Sequence, residues 1–353
     1  MPSGELLKLQ PVKAGAHASM EYRSFGDTSL RVSEIGFGCS RLGGTVESKS
    51  DKEVISTLLE AFDRGINFYD TADIYGQGRS ERLLGEAFRH QRTAVIIATK
   101  AGYCLTKAGS FGASFKPLLR PLVRMMPDLR RSVHRARAAQ KYQDFSPDHL
   151  RRAIDQSLRR LRTDYIDVFQ LHSPASPVIE AGEFIETLEN ARIQGKLRSY
   201  GVSCRSIEDA WLSLRYPGVS SVQIRINLLE FEGVSSFLAA AESRKVAVIA
   251  RQPLASGFLA RPAALLKPVD LSVSEEEFKA KLAQAQAYQF LDMGNRRTTA
   301  QAALQFVLRL PWVSVVIVGM SSRNHLNENL APTCFLTEDE VQRIHSMLVR
   351  KAK

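Results

Sequence analysis

Short apolar runs rich in β-branched and aromatic residues alternate along the 353-residue chain with longer stretches whose apolar positions recur every three or four residues. The first pattern suits strands buried on both faces and the second suits amphipathic helices, so the alternation predicts βαβ units and a parallel sheet. Eight runs qualify as strands: 34–39, 66–70, 95–100, 165–172, 199–203, 221–227, 246–251 and 313–319. Eight parallel strands, each followed by a helix, are best satisfied by closure, which leaves no unpaired edge. The expected fold class is therefore α/β, a (β/α)8 barrel. A doubly wound sheet is the alternative, but it needs a glycine fingerprint that neither Gly36-Phe37-Gly38 nor Gly76-Gln77-Gly78 completes.

Helix starts support the same reading. Ser50 with Glu53, Ser206 with Asp209, Ser274 with Glu277 and Thr337 with Glu340 have the spacing of a capping box. Ser146-Pro147-Asp148 opens another helix, on which Leu150, Ile154, Leu158 and Leu161 share a face. Ahead of the first strand, 22–25 and 30–33 flank Gly26-Asp27, which predicts a hairpin able to plug the lower end of the barrel. Residues 1–20 read as a flexible tail and 21–353 as one barrel domain with an insertion at 101–147. The stretch 261–293 has a helix of its own and is expected over the mouth.

Composition narrows the function. A hydrophobic share of 44% excludes disorder for most of the chain, and the net charge is +11. That charge is concentrated, since 101–147 holds Lys107, Lys116, Arg120, Arg124, Arg130, Arg131, Arg135, Arg137 and Lys141 against Asp128 and Asp144, which is +7. A cluster without interleaved aromatics or a reader motif does not suit nucleic acid. The basic amphipathic helix expected at 129–142 lacks the Trp and Phe of a membrane anchor. The insertion reads as a solvated lid or, because clustered arginines suit phosphate, as a site for an anionic carbonyl substrate. Cys39, Cys104, Cys204 and Cys334 form no C-x-x-C pair, which argues against zinc and disulfides and for a reducing compartment. With no apolar run of signal-peptide or bilayer length, the expected location is the cytoplasm.

Barrel enzymes carry their reactive side chains at the C-terminal ends of strands, so polar residues closing apolar runs come first. These are Asp70, Lys100 and His172, with Tyr75 five residues beyond Asp70 in the same loop. A tyrosine hydroxyl with an ordinary pKa of about 10 is a weak acid, and a nearby ammonium lowers that value. Lys100 can supply the ammonium, Asp70 can keep it charged, and His172 can hydrogen-bond a substrate oxygen. Such a set suits proton donation to a carbonyl that receives a hydride. Singly, each residue has a plainer reading: a core histidine, a structural ion pair, a packing tyrosine. Their joint placement on one rim favours chemistry.

The run Asn67-Phe68-Tyr69-Asp70-Thr71-Ala72-Asp73-Ile74-Tyr75-Gly76, followed by Ser80-Glu81-Arg82-Leu83-Leu84-Gly85, resembles the aldo-keto reductase superfamily. The likeness continues in family order through Ala98-Thr99-Lys100, Asp164-Tyr165-Ile166-Asp167, Leu171-His172, Gly201-Val202-Ser203, Gln223, Pro253-Leu254-Ala255-Ser256-Gly257 and Gly319. It implies hydride transfer between a nicotinamide and an aldehyde, ketone or sugar carbonyl. Tyr75 would be the general acid, Lys100 and Asp70 would tune it, and His172 would orient the carbonyl. The implied cofactor is NADPH, with NADH as the alternative, extended across the barrel mouth.

By the same resemblance, Ser203 and Gln223 hold the nicotinamide amide near Asp70, and Pro253, Leu254, Ser256, Gly257 and Leu259 follow the pyrophosphate. Gly319, Ser321, Arg323, Glu328 and Asn329 match the adenosine end, and Gly38 and Cys39 complete the cofactor set. Ser321-Ser322 reads equally as a helix cap. Three positions depart from the family pattern. Cys204 stands where an asparagine commonly assists Ser203, Arg251 where an aromatic often stacks on the nicotinamide, and His325 where many members place an arginine near the 2′-phosphate. A guanidinium also stacks on planar rings, so Arg251 stays in the cofactor set, and Arg323 becomes the fixed charge for a 2′-phosphate. Two other functions fit the same barrel: a non-catalytic NADPH-sensing protein, and an aldolase forming a Schiff base on Lys100.

Overall fold

The computed structural model describes residues 9–10, 20–42, 50–105, 141–261, 265–266, 273–320, 322–331 and 333–351, the side chains of 105, 141, 350 and 351 excepted. Its first elements are a hairpin of β1 (Tyr22–Ser24) and β2 (Arg31–Ser33). There follow β3 (Ile35–Gly38), α1 (Asp51–Asp63), β4 (Phe68–Asp70), α2 (Arg79–Ala87) and β5 (Ile96–Ala101). A second hairpin, β6 (Tyr103–Leu105) and β7 (Lys141–Gln143), precedes α3 (Pro147–Leu161), β8 (Ile166–His172), α4 (Ser176–Ala181), α5 (Phe184–Ile193) and β9 (Leu197–Ser203). The chain continues through α6 (Ile207–Ser213), β10 (Ser221–Arg225), α7 (Val234–Ser243), β11 (Ala247–Arg251), α8 (Glu275–Gln286) and α9 (Thr299–Leu308). It ends with β12 (Val313–Gly319), α10 (Arg323–Leu330) and α11 (Glu338–Lys351).

Strands β3, β4, β5, β8, β9, β10, β11 and β12 pair in parallel in chain order, and β12 closes onto β3. These are the eight strands the pattern predicts, and the closure excludes the doubly wound alternative. Alternate residues of a strand face the same side, which explains how the interior is divided. Phe68, Ile96, Ala98, Val168, Ala247, Ile249, Val315 and Ile317 form an inner apolar cluster. One pleat further along, the same strands present Asp70, Lys100, Gln170 and Arg251. The interior thus turns from apolar to polar towards the C-terminal rim, while the outward residues pack against the helices in the larger core.

Phe25, Leu30 and Val32 of the first hairpin complete the inner cluster from below, so the hairpin is the expected plug. Arg23 fixes it by donating to the carbonyls of Val313 at 3.0 Å and Leu308 at 2.8 Å while pairing with Glu34 at 2.7 Å. At the turn, Gly26 has φ +58°, and a Cβ there would lie 2.5 Å from the carbonyl oxygen of Lys245, so only glycine fits.

Both halves of the capping box form at Ser50–Glu53, Ser206–Asp209 and Thr337–Glu340, whereas Ser274 only accepts from the Glu277 N–H. Thr298 and Gln301 add a box that the pattern had not singled out. The stretch read as a free tail is tied at one point, where the Gln10 N–H donates to the Arg309 carbonyl at 2.7 Å and Arg309 Nε donates back at 3.0 Å. Beyond Leu9, Gln10 and Met20 the tail lies outside the described residues. So does the basic cluster, apart from the backbone of Lys141.

The roots of the insertion differ from expectation: β5 runs through Ala101, and Tyr103 to Leu105 pairs antiparallel with Lys141 to Gln143. The helix expected at 129–142 therefore gives way to a strand at its end, because the two ends of an insertion leave the barrel side by side and satisfy each other's backbone. The helix of 261–293 is α8, and it reaches the mouth through Lys281, 3.3 Å from Glu230, and Phe278, which packs on Phe258. Among the described residues no helix is long and apolar enough to cross a membrane, no group of His, Cys, Asp or Glu could hold a metal, and the four cysteines are free.

Candidate active site

Near the C-terminal ends of six strands, Asp70, Lys100, His172, Ser203, Gln223 and Arg251 come to one rim. Lys100, 1% exposed, donates from Nζ to Asp70 Oδ1 at 2.7 Å and to the Thr71 carbonyl at 2.7 Å. Gln223 Nε2 donates to the same Asp70 oxygen at 2.8 Å, and Ser203 Oγ donates to Gln223 Oε1 at 3.1 Å. One hydrogen-bonded chain thus links β9, β10, β4 and β5. Burial alone would pull the Lys100 pKa down, but the charge of Asp70, with Tyr75 and the hydrogen bond to Asp70, holds it above the usual lysine range. A Schiff-base lysine must first be neutral, so this geometry counts against the aldolase reading.

Tyr75 is carried back over Lys100 by its loop. The Thr71 N–H donates to the Ala98 carbonyl at 2.7 Å and the Asp73 N–H to the Lys100 carbonyl at 3.0 Å, which zips the loop to β5. Lys100 Nζ then lies 5.4 Å from the centre of the Tyr75 ring. His172 meets Tyr75 edge-on, with ring centres 5.7 Å apart, and meets Tyr103 the same way at 4.9 Å. The pKa of Tyr75 moves opposite to the expectation from sequence: burial pushes it up, and the downward pull of Lys100 is opposed by Asp70. The hydroxyl is therefore protonated at neutral pH, the form a proton donor requires.

Beside it, Asp73 Oδ1 is buried without a hydrogen-bond partner among the described residues. Burial first, then the charge of Glu81, pushes its pKa up to about 7. A carboxyl raised from 3.8 in the unfolded chain favours folding fully below that value, and the benefit is lost as pH rises through about 7. Asp73→Asn is expected to flatten this decline and to raise unfolding free energy at pH 8 by about 1–3 kcal/mol. Urea titrations of both proteins at pH 5 and pH 8 decide it, and a parallel loss in both would refute the assignment.

Other expected cofactor residues are placed as follows. The Cys39 N–H donates to the Asp70 carbonyl at 2.9 Å while its buried sulfur faces the Phe37 carbonyl, and at Gly38 a Cβ would come within 2.9 Å of Ile317. Cys204 turns its sulfur outward to Ser213 Oγ, 3.7 Å away, so it supplies nothing that an asparagine side chain would. Arg251 donates from Nη2 to the Cys204 carbonyl at 3.0 Å, and its Nε is buried with no partner among the described residues.

After Arg251 the backbone takes positive φ at Gln252 (56°) and, beyond Pro253 and Leu254, at Ala255 (47°), Ser256 (57°) and Gly257 (102°), before reaching buried Leu259. Such strain concentrates at ligand sites, and concave backbone of this kind presents N–H groups to anions. A cleft of about 310 Å³ adjoins it, lined by Arg225, Gln252, Ser256, Glu277 and Lys281 among others. At the far end Gly319 borders open space, and Ser322 Oγ caps α10 by accepting from the His325 N–H. Arg323 there pairs with Glu60 at 2.7 Å and donates to Ser56 at 2.8 Å. Glu328 and Asn329 lie on α10, and Ser321 lies outside the described residues.

A polar floor, an acceptor-seeking buried guanidinium and an anion-suited loop fit a nicotinamide dinucleotide. Sequence reasoning passed over Tyr103, Gln143, Arg205 and Arg225. Gln143 Nε2 donates to the carbonyls of His172 at 3.2 Å and Ser173 at 2.8 Å, and Arg205 bonds both Gln143 and the Ser173 carbonyl. Arg225 closes an apolar run as Arg251 does, so the same rule would have found it. Asp167, within the quoted resemblance, is structural: it accepts from Arg92, Arg198 and the Ile97 N–H.

The profile of the aldo/keto reductase family matches residues 34–349. An uncharacterised oxidoreductase of Bacillus subtilis, YqkF, is 30% identical, over 93% of this chain and 96% of its own. L-Galactose dehydrogenase of Arabidopsis thaliana is 29% identical over 88% of each chain. Among solved structures, the holo form of an aldo-keto reductase from Bacillus halodurans superposes with a TM-score of 0.71 at 28% identity, covering 93% of this chain and 96% of that one.

Proposed function

Because the chain belongs to the aldo/keto reductase family, nicotinamide-dependent oxidoreductases of carbonyls and sugars, we propose that Tyr75 is the proton donor and acceptor of its reaction. The observation that carries this is the buried Lys100–Asp70 pair set beneath a protonated tyrosine on the barrel rim. A bound nicotinamide supplies or takes the hydride. The substrate oxygen accepts hydrogen bonds from Tyr75 and His172, which polarises the carbonyl. As the Tyr75 proton leaves, the Lys100 ammonium stabilises the phenolate, and Asp70 keeps that ammonium in place. Ser203 and Gln223 orient the cofactor's amide, the 252–257 loop takes its pyrophosphate, and the start of α10 takes its adenosine end.

The cofactor in this reading is NADPH. Arg323 is the cation for the 2′-phosphate, and its bond to Glu60 offsets part of its charge, so the preference over NADH is modest. Arg323→Ala is expected to raise KM for NADPH about tenfold and to leave KM for NADH within about twofold. Equal changes for both cofactors would remove Arg323 from the site.

The substrate is a small aldehyde, ketone or sugar, and the plant sugar dehydrogenase among the relatives supports including lactols. The test is nicotinamide oxidation and reduction followed across a panel of such compounds. Matched neutral and phosphorylated aldehydes belong in it because of the basic residues of 101–147. A protein that binds NADPH yet turns over none of them in either direction would sink the reading.

A further inference from the structure

The charges nearest the reacting atoms almost cancel, since Lys100 and Asp70 lie 2.7 Å apart and act on Tyr75 with opposite signs. Arg251 has no ion-pair partner among the described residues. It closes β11, sits in register with Arg225 on β10, and keeps a buried Nε without a partner among the described residues. The groups whose charges act on it are Arg225 from β10, Tyr75 and Asp70 from β4 and its loop, and Cys204 after β9. No carboxylate forms a salt bridge with it among the described residues. Asp70, whose charge does reach Arg251, is held by Lys100 and Gln223, and Glu230 pairs with Arg225 at 3.7 Å and Lys281 at 3.3 Å. Two like charges side by side on neighbouring strands oppose each other, and while Arg225 is paired with Glu230, Arg251 brings to the rim near Ser203 and Gln223 a positive charge with no ion-pair partner among the described residues.

We propose that Arg251 biases the site towards one redox state of the cofactor, favouring the neutral dihydronicotinamide over the positively charged oxidised ring. The inference rests on the reading of Ser203 and Gln223 as the nicotinamide floor. A nicotinamide held there lies within the field of the guanidinium, and at the low effective dielectric of a buried site that field discriminates between a neutral and a cationic ring. The phosphates and adenosine are the same in both states, so the bias is confined to the ring. In the reducing direction the oxidised product is the form held less tightly, which speeds its release.

The test compares dissociation constants of NADPH and NADP+, measured by fluorescence or calorimetry, for the wild type, Arg251→Met and Arg251→Lys. Met has similar reach without charge, and Lys restores the charge without the planar group. The wild type is expected to bind NADPH more tightly. The ratio of the NADP+ constant to the NADPH constant is expected to fall about tenfold in Arg251→Met and to stay within about threefold in Arg251→Lys. Affinity for 2′,5′-ADP, which has no nicotinamide, is expected to hold in every variant and reports an intact fold, with Arg251→Gln in reserve should the Met variant fail that check. An unchanged ratio in Arg251→Met, or an equal fall in Arg251→Lys, overturns the inference alone. A wild type that binds neither redox form overturns the nicotinamide reading itself.

Discussion

Tyr75→Phe is expected to lower kcat by about 10³-fold while leaving NADPH affinity within about threefold of wild type. The variant keeps the ring that meets His172 and lies over Lys100, and the loop is held by backbone bonds from Thr71 and Asp73 to β5, so the fold has no reason to change. What is lost is the proton that the proposed reaction takes from Tyr75, and positioned general acids contribute about 10²–10⁴-fold. Because burial holds the hydroxyl above the ordinary tyrosine range, the reducing rate of the wild type is expected to be flat through neutral pH and to fall only in the alkaline range. Steady-state NADPH oxidation and cofactor titration on both proteins make the comparison. A phenylalanine variant that keeps more than about a tenth of the turnover would refute the assignment.

Lys100→Met has the largest expected effect on stability. It removes the ammonium and leaves the Asp70 carboxylate buried, with Gln223 as its remaining side-chain donor. Breaking a buried pair in this way costs about 3–5 kcal/mol, whereas removing both charges together is often close to neutral. Lys100→Met with Asp70→Asn is therefore expected to be more stable than Lys100→Met alone, and the double-mutant cycle in urea isolates the coupling. The pH dependence has a definite sign. A lysine whose pKa is raised by folding adds stability that is complete below its unfolded value of about 10.4 and is lost as pH rises through the folded one. The contribution of the pair is thus constant through neutral pH. A single variant as stable as the double one would mean that Asp70 is satisfied without Lys100.

The barrel was legible because its strands are buried on both faces over most of their length and so read as short, largely apolar runs, interrupted in β8, β9 and β10 by residues such as Asp167, Arg198 and Gln223. The site was legible because Asp70, Lys100 and His172 end such runs where an interior side chain would otherwise be apolar. The expected direction of the Tyr75 pKa failed for a specific reason: burial outweighs the downward pull of Lys100, and how deeply the loop buries the tyrosine is set by tertiary packing that the sequence pattern does not show. Tyr103, Gln143 and Arg205 were hidden because their positions depend on β6 pairing with β7 across the long insertion, which no local pattern encodes. The pairing of Arg323 with Glu60 on α1 joins opposite ends of the chain and is equally invisible to periodicity.

The seam between β3 and β12, together with the bonds from Arg23 to Leu308 and Val313, joins residues up to 290 positions apart. On a ribosome adding about 5–20 residues per second, roughly 15–60 s separate the emergence of the two sides. For that interval one side of β3 is an open edge, and the inner cluster that Phe25, Leu30 and Val32 join lacks Val315 and Ile317. Contacts this distant in sequence also form slowly, since loop closure must come before they are made. The nascent chain therefore exposes an aggregation-prone strand edge until its last strand is complete. A chain cut after α9 would aggregate rather than persist as a partial enzyme.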